Sequence, residues 1–425
     1  MNDRIKEHLG KPPCPRLSGP TDPTRDRSRL KRRGAFVTAR GRRGLSTTIG
    51  FACAALFATG AQAVTVQGGD WELDVGGIVN AYYTTVSCSG DTVAGPALGG
   101  RALGCSGKDH RTTIGNGLLP SGLVTKFRTR QDGIDIGGTV GIMVHAATGS
   151  GIDANSGVDV RQAFFTVGTA DAGTLKVGRD YGVFGANAIL SDMTLLGAGA
   201  PTQATQRGRV TLGHIGAGYT YLGTYGQMTY TSPSFGGGFT FTGALVSPVD
   251  AGAYQSGSTP QVQAQIAYAG DGWKVWAGLK SQKFEGASGS PADGHDFTEA
   301  AGEAGASFTA GPFGLLANVQ AGKGLGILTD GDQGDIKGVN YLVQGTWQTT
   351  ERIKLGLSYG QSRNRSGESA GTDAFKSNEN LTGGLYYKLT QSITLAGELG
   401  ETRSKDFAGR EARQYGGSFG GIIFF

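Results

Sequence analysis

Apolar and polar residues alternate with a period of two in segment after segment of this chain, and that pattern limits what it can fold into. In "WELDVGGIVNAYY", Leu73, Val75, Gly77, Val79 and Ala81 fall on one face, with Glu72, Asp74 and Asn80 on the other. In "GLVTKFRTR", Leu123, Thr125, Phe127 and Thr129 oppose Lys126, Arg128 and Arg130. A helix would scatter these three cations around its surface, whereas a strand lines them up. The pattern predicts sixteen strands: 71–84, 122–131, 134–147, 158–169, 173–180, 217–231, 238–247, 261–269, 272–283, 298–309, 313–323, 338–349, 352–363, 378–390, 392–403 and 413–425.

The connections alternate too. Tight turns such as "QDG" at 131–133, "ADAG" at 170–173 and "GDG" at 270–272 follow every second strand, and long segments such as 85–121 and 181–216 fill the other gaps. Short turns on one rim and long loops on the other are the mark of a transmembrane β-barrel. Hydrocarbon offers the backbone no hydrogen-bond partner, so a spanning sheet must close on itself. Residues 64–425 contain no run of eighteen apolar residues, and a mean hydropathy of −0.20 is too polar for a bundle of membrane helices. A soluble sandwich would share the alternation but not this rhythm. The expected fold is therefore all-β, a 16-stranded antiparallel barrel. Its closing strand is 413–425, with Phe419, Gly421, Ile423 and Phe425 facing lipid. Tyr82-Tyr83, Phe164-Phe165, Tyr386-Tyr387, Trp273, Trp276 and Trp347 are candidates for interfacial aromatic girdles.

The formal charge of +5 is misleading, because residues 1–63 hold 13 of the 39 basic and 4 of the 34 acidic residues. The remainder carries 26 basic against 30 acidic residues, which removes the electrostatic case for nucleic-acid binding. "RGRRGLSTTIGFACAALFATGAQA" reads as an export signal, with Arg40, Arg42 and Arg43 before a short apolar stretch and Ala61-Gln62-Ala63 as the cleavage site. Residues 1–36 form an N-terminal extension, 37–63 the signal and 64–425 the barrel. Cys14 and Cys53 lie in the part to be removed, so Cys88 and Cys105 remain as an even pair in an exported loop, which suggests a disulfide. Only His110 is near them, so no metal site is indicated.

"RQAFFTVGTADAGTLKVGRDYGVF", residues 161–184, is similar to a stretch of the general diffusion porins of Gram-negative bacteria, most closely the β-proteobacterial type. In that family an Arg-containing strand, a short turn and a "GR-x-Y-G" strand lead into a third external loop that folds into the barrel and narrows it. "GRDYG" here is Gly178–Gly182, and the segment 183–206 stands where that loop belongs. The resemblance implies a water-filled channel for small hydrophilic solutes and ions, a homotrimer, no cofactor, and a terminal Phe425 read by the outer-membrane assembly machinery. It further implies a basic wall set against an acid on the loop. Candidates for the wall are Lys126, Arg128, Arg130, Arg179, Arg207 and Arg209; Arg161 is a more structural candidate, and Asp192 is the loop's acid. A channel specific for one organic anion or sugar is the alternative. An enzyme is not expected, because His110, His145, His214 and His295 are scattered without an accompanying Ser or Asp motif.

Overall fold

The computed structural model describes residues 63–147, 157–199, 211–365 and 374–425. The N-terminal extension, the signal up to residue 62, and Arg207 and Arg209 lie outside the described residues.

The alternating segments form one antiparallel sheet. In chain order its strands are β1 (Val64–Gly68), β2 (Trp71–Gly90), β3 (His110–Gly115), β4 (Ser121–Gln131), β5 (Ile134–Val144), β6 (Val158–Thr169) and β7 (Gly173–Tyr181). They continue with β8 (Thr224–Thr231), β9 (Phe239–Val246), β10 (Tyr254–Ser256), β11 (Gln261–Gly270), β12 (Trp273–Gly286) and β13 (Phe297–Ala310). The last six are β14 (Phe313–Lys323), β15 (Lys337–Gln348), β16 (Ile353–Asn364), β17 (Phe375–Lys388), β18 (Ile393–Asp406) and β19 (Glu411–Phe424). Setting aside the short β1, β3 and β10 leaves the sixteen staves of a closed barrel. Among the described residues no helix is long and apolar enough to cross a membrane.

Closure runs from Phe424 opposite Ile78 to Ala412 opposite Gly90. Gly77 and Phe425 exchange both backbone bonds, at 2.8 and 3.1 Å. Where β19 ends, β1 takes over the same edge of β2, from Val64 opposite Val75 to Gly68 opposite Trp71. The seam therefore leaves few backbone groups of β2 unpaired, which a sheet in hydrocarbon requires.

The period-two pattern sorts the side chains as expected. Val79, Leu123, Leu279, Leu399 and Phe419 are exposed on the outward face, and the residues between them point inward. The aromatic pairs obey the same rule, so only one ring of a pair can reach the outside. Tyr83 and Phe165 are exposed with Trp273 and Trp347, whereas Tyr82, Tyr386 and Trp276 are buried on the inward side and belong to no girdle. One strand starts later than its sequence suggests: β8 begins at Thr224 rather than 217, because the residues before it bond elsewhere.

Cys88, near the end of β2, is bonded to Cys105, just after the short helix α1 (Arg101–Gly104). The bridge confirms the expected disulfide and ties the first long connection to the barrel. With the two cysteines 17 positions apart in sequence, a bridge of this span is worth about 3 kcal/mol.

Candidate functional site

The inward faces of β11 to β18 are lined with amide and carboxylate side chains, many of them fully buried. They accept hydrogen bonds from the backbone of the long connection between β7 and β8. Gln263 on β11 accepts from the amides of Val183 and Phe184, at 2.7 and 2.9 Å. Glu303 on β13 accepts from Gly185 at 3.0 Å, and Gln344 on β15 from Met193 at 2.6 Å. Glu398 on β18 accepts from both Ala198 and Gly199 at 2.6 Å. On the return, Ser362 of β16 accepts from Gly218 at 3.0 Å and Gln320 of β14 from Thr220 at 2.9 Å. Irregular backbone can be buried only if its polar groups find such partners.

The sequence of the connection suits this. It is rich in Gly and Ala, which let the backbone come close, and it contributes Ile189, Leu195, Leu212, Ile215 and Leu222 to the largest apolar cluster. That cluster includes Trp276, Leu316 and Leu342 of β12, β14 and β15. Within the connection, helix α2 (Ala186–Ser191) and the 3-10 turn Met193–Leu196 follow one another. Gly360 on β16 shows how near the backbones run: a Cβ there would sit 2.0 Å from the Ala217 carbonyl oxygen. The first long connection meets the same segment, with the Leu118 amide donating to the Gly197 carbonyl at 3.0 Å.

Asp192 is not presented to an aqueous space as the sequence suggested. Its side chain is fully buried, facing His214 Nδ1 at 3.0 Å and accepting from the Tyr219 hydroxyl at 2.6 Å. Its other oxygen caps the 3-10 turn by accepting from the Thr194 amide at 2.9 Å. Burial pushes the Asp192 carboxyl up, but the charge and hydrogen bond of His214, with those of Tyr219 and Thr194, outweigh it and hold the group below the usual carboxylate range. Burial, and then Asp192 itself, push the Tyr219 phenol well above its ordinary value, which keeps it a donor. On its far side His214 Nε2 lies 3.2 Å from Ser358 Oγ on β16. Sequence reasoning missed this Asp-His-Ser grouping, because its members are 22 and 144 residues apart and no local motif announces it.

The expected wall cations divide. Lys126, Arg128 and Arg130 do alternate with the outward Leu123 on β4, but they sit toward the 132–133 turn. Gly122 pairs with Ile78, whereas Lys126 pairs with Asp74 and Arg128 with Glu72. Arg128 is ion-paired to both Glu72 and Asp74, and Arg130 lies 3.4 Å from Asp135. Arg179 is a correction. It pairs with Ala163 and alternates with the buried Lys176 and Asp180, so it shares the outward face of Leu175 and cannot line a lumen. It stands near the end of β7 that leads into the long connection, where a lipid-facing arginine costs only about 0–1 kcal/mol. The inward cation of that strand is Lys176, bonded to Asp180 at 2.5 Å. Arg161 is buried at a bulge of β6, 2.7 Å from Asp159, which is a structural placement.

Among the described residues no cluster of His, Cys, Asp and Glu could hold a metal ion.

Known proteins place this architecture. The outer membrane channel DcaP of Acinetobacter baumannii has a TM-score of 0.62 and 16% identity, covering 85% of this chain and 100% of its own. An anion-selective porin from Comamonas acidovorans has a TM-score of 0.60 and 17% identity, covering 84% of this chain and all of its own. Salmonella typhi OmpF in complex with daunomycin has a TM-score of 0.56 and 16% identity, over 84% of this chain and 100% of that one. At such identities the likeness speaks for the fold alone. No curated protein matches the chain. The profile of the Gram-negative porin family, however, matches residues 50–406, most of the sequence. The chain belongs to the Gram-negative porins, and is a diffusion channel of the bacterial outer membrane.

Proposed function

We propose that residues 182–199 and 211–223 fold into the lumen and narrow it, making this a general porin for small hydrophilic solutes and ions. The observation that carries the reading is the series of backbone amides, from Val183 to Gly199, that donate to side chains of β11, β13, β15 and β18. A sixteen-stranded barrel encloses more space than its own side chains fill, so a segment lying across it sets the width of the water path.

Lys126, Arg128 and Arg130 belong in this reading to the charged approach on the turn side of the narrowing, where Glu72, Asp74 and Asp135 balance them. Arg207 and Arg209, outside the described residues, remain candidates for the basic wall. Trimer formation is supported by one structural relative, OmpT of Vibrio cholerae, which is described in a trimer form. Export by the signal ending at Ala63 and assembly through Phe419, Ile423 and Phe425 complete the proposal; Phe419 and Phe425 are exposed.

Recordings in planar lipid bilayers test it. Large, steady, weakly selective conductance steps arriving in threes are expected. Current that saturates with one sugar or organic anion would instead assign a solute-specific channel. Mass spectrometry of the mature protein should find Val64 first.

A further inference from the structure

The buried group of Asp192, Tyr219, His214 and Ser358 has no part in the channel described so far. Its members sit on three different pieces of chain. Asp192 lies on the outgoing limb of the connection, between α2 and the 3-10 turn. His214 and Tyr219 lie on the returning limb, and Ser358 is on the wall strand β16. Elsewhere a wall side chain meets the backbone of one limb. Here a single imidazole joins both limbs and the wall, with 3.0 Å to Asp192 and 3.2 Å to Ser358. A carboxylate can only accept, so Nδ1 carries the proton toward Asp192, while Nε2 faces the Ser358 hydroxyl, which also has the Thr382 carbonyl at 3.4 Å.

The order acid, imidazole, hydroxyl is that of a hydrolase, but His214 is 0% and Ser358 1% exposed. No substrate atom can reach the hydroxyl, and the grouping therefore acts on position. We propose that His214 is a positioning residue, a clasp that fixes the two limbs against β16 and so sets the width of the water path beside them. The inference rests on the reading that residues 182–199 and 211–223 narrow the lumen.

The test is a set of planar-bilayer recordings on purified barrels whose folding is checked by heat-modifiable migration. Thr and Val are isosteric, so Ser358→Thr and Ser358→Val add the same bulk and differ only in the hydroxyl. Ser358→Val is expected to raise the time spent in substates about tenfold, as loss of one buried hydrogen bond would in a two-state equilibrium. Ser358→Thr should restore wild-type traces. His214→Phe, which keeps a flat ring and loses both bonds, should raise the open conductance about twofold. The Glu398→Ala variant, which frees the other end of the segment, is the control. If Ser358→Val matches Ser358→Thr while Glu398→Ala alters conductance, the clasp is wrong and the narrowing stands. If Glu398→Ala also leaves conductance unchanged, the narrowing itself fails. Labelling of wild-type Ser358 by a fluorophosphonate would overturn the positioning role in favour of catalysis.

Discussion

The two halves of the barrel solve the problem of an inward polar face differently. From β11 to β18 the inward face buries many amides, among them Gln263, Gln265, Gln320, Asn340, Asn378 and Asn380, beside the loop-holding carboxylates Glu303 and Glu398 and the paired Lys280. An amide both donates and accepts without carrying charge, so it can be buried against a loop backbone at modest cost. On β2 and β4, near the short turns, the inward side chains are ions, and Arg128 and Arg130 remain more than half exposed. Ions need water or a counter-ion, and here they have both. The contrast teaches that the amide half is built to hold a segment of chain and the ionic half to face water.

If that is right, substitutions in the amide half should act on stability and those in the ionic half on selectivity. The largest effect is expected from Glu398→Ala, which strands the amides of Ala198 and Gly199 and the hydroxyl of Tyr386. Each orphan costs about 1–3 kcal/mol, so a loss of about 3 kcal/mol is expected in denaturant unfolding of the detergent-solubilised barrel. A wild-type midpoint would break the comparison. Gln263→Leu strands two amides and should cost about 2 kcal/mol by the same assay.

Asp192 sharpens the comparison through pH. Its carboxyl is held below the ordinary range, so its contribution is complete above about pH 4, where an unfolded Asp ionises, and is lost as the pH falls through the lower native value. The melting-point gap between wild type and Asp192→Asn should therefore be flat from neutral pH to about pH 4 and close below it. A gap that already closes near neutral pH would show that Asp192 is not the group responsible. The smallest effect is in the ionic half. Arg128→Gln leaves Glu72 and Asp74 without their partner and should move the reversal potential in a salt gradient toward cations. Arg179→Gln should leave it unmoved, since that side chain faces outward. Equal shifts would mean that the two faces have been assigned wrongly.

Much of the fold was legible in the chain. Strands β4, β14 and β19 follow the alternation closely because a half-lipid, half-polar surface leaves a strand one register to choose. The Cys88–Cys105 bridge was legible because two cysteines allow one pairing. The site was less so. Arg179 shared a family-like motif with its neighbours, yet its face is settled by its pairing with Ala163 on β6. Asp192 looked like a loop acid because no basic residue stands near it in sequence; His214 and Ser358 arrive only through folding.

The sequence by itself determined the barrel, its sixteen staves, the disulfide and the bacterial outer membrane as its place, since alternation, turn spacing and cysteine count act locally along the chain. Only the tertiary structure decided which cations are paired, which face Arg179 takes, and that the acid of the long connection is buried against an imidazole. Those outcomes depend on contacts between residues far apart in the chain, whose energies no short stretch of sequence contains.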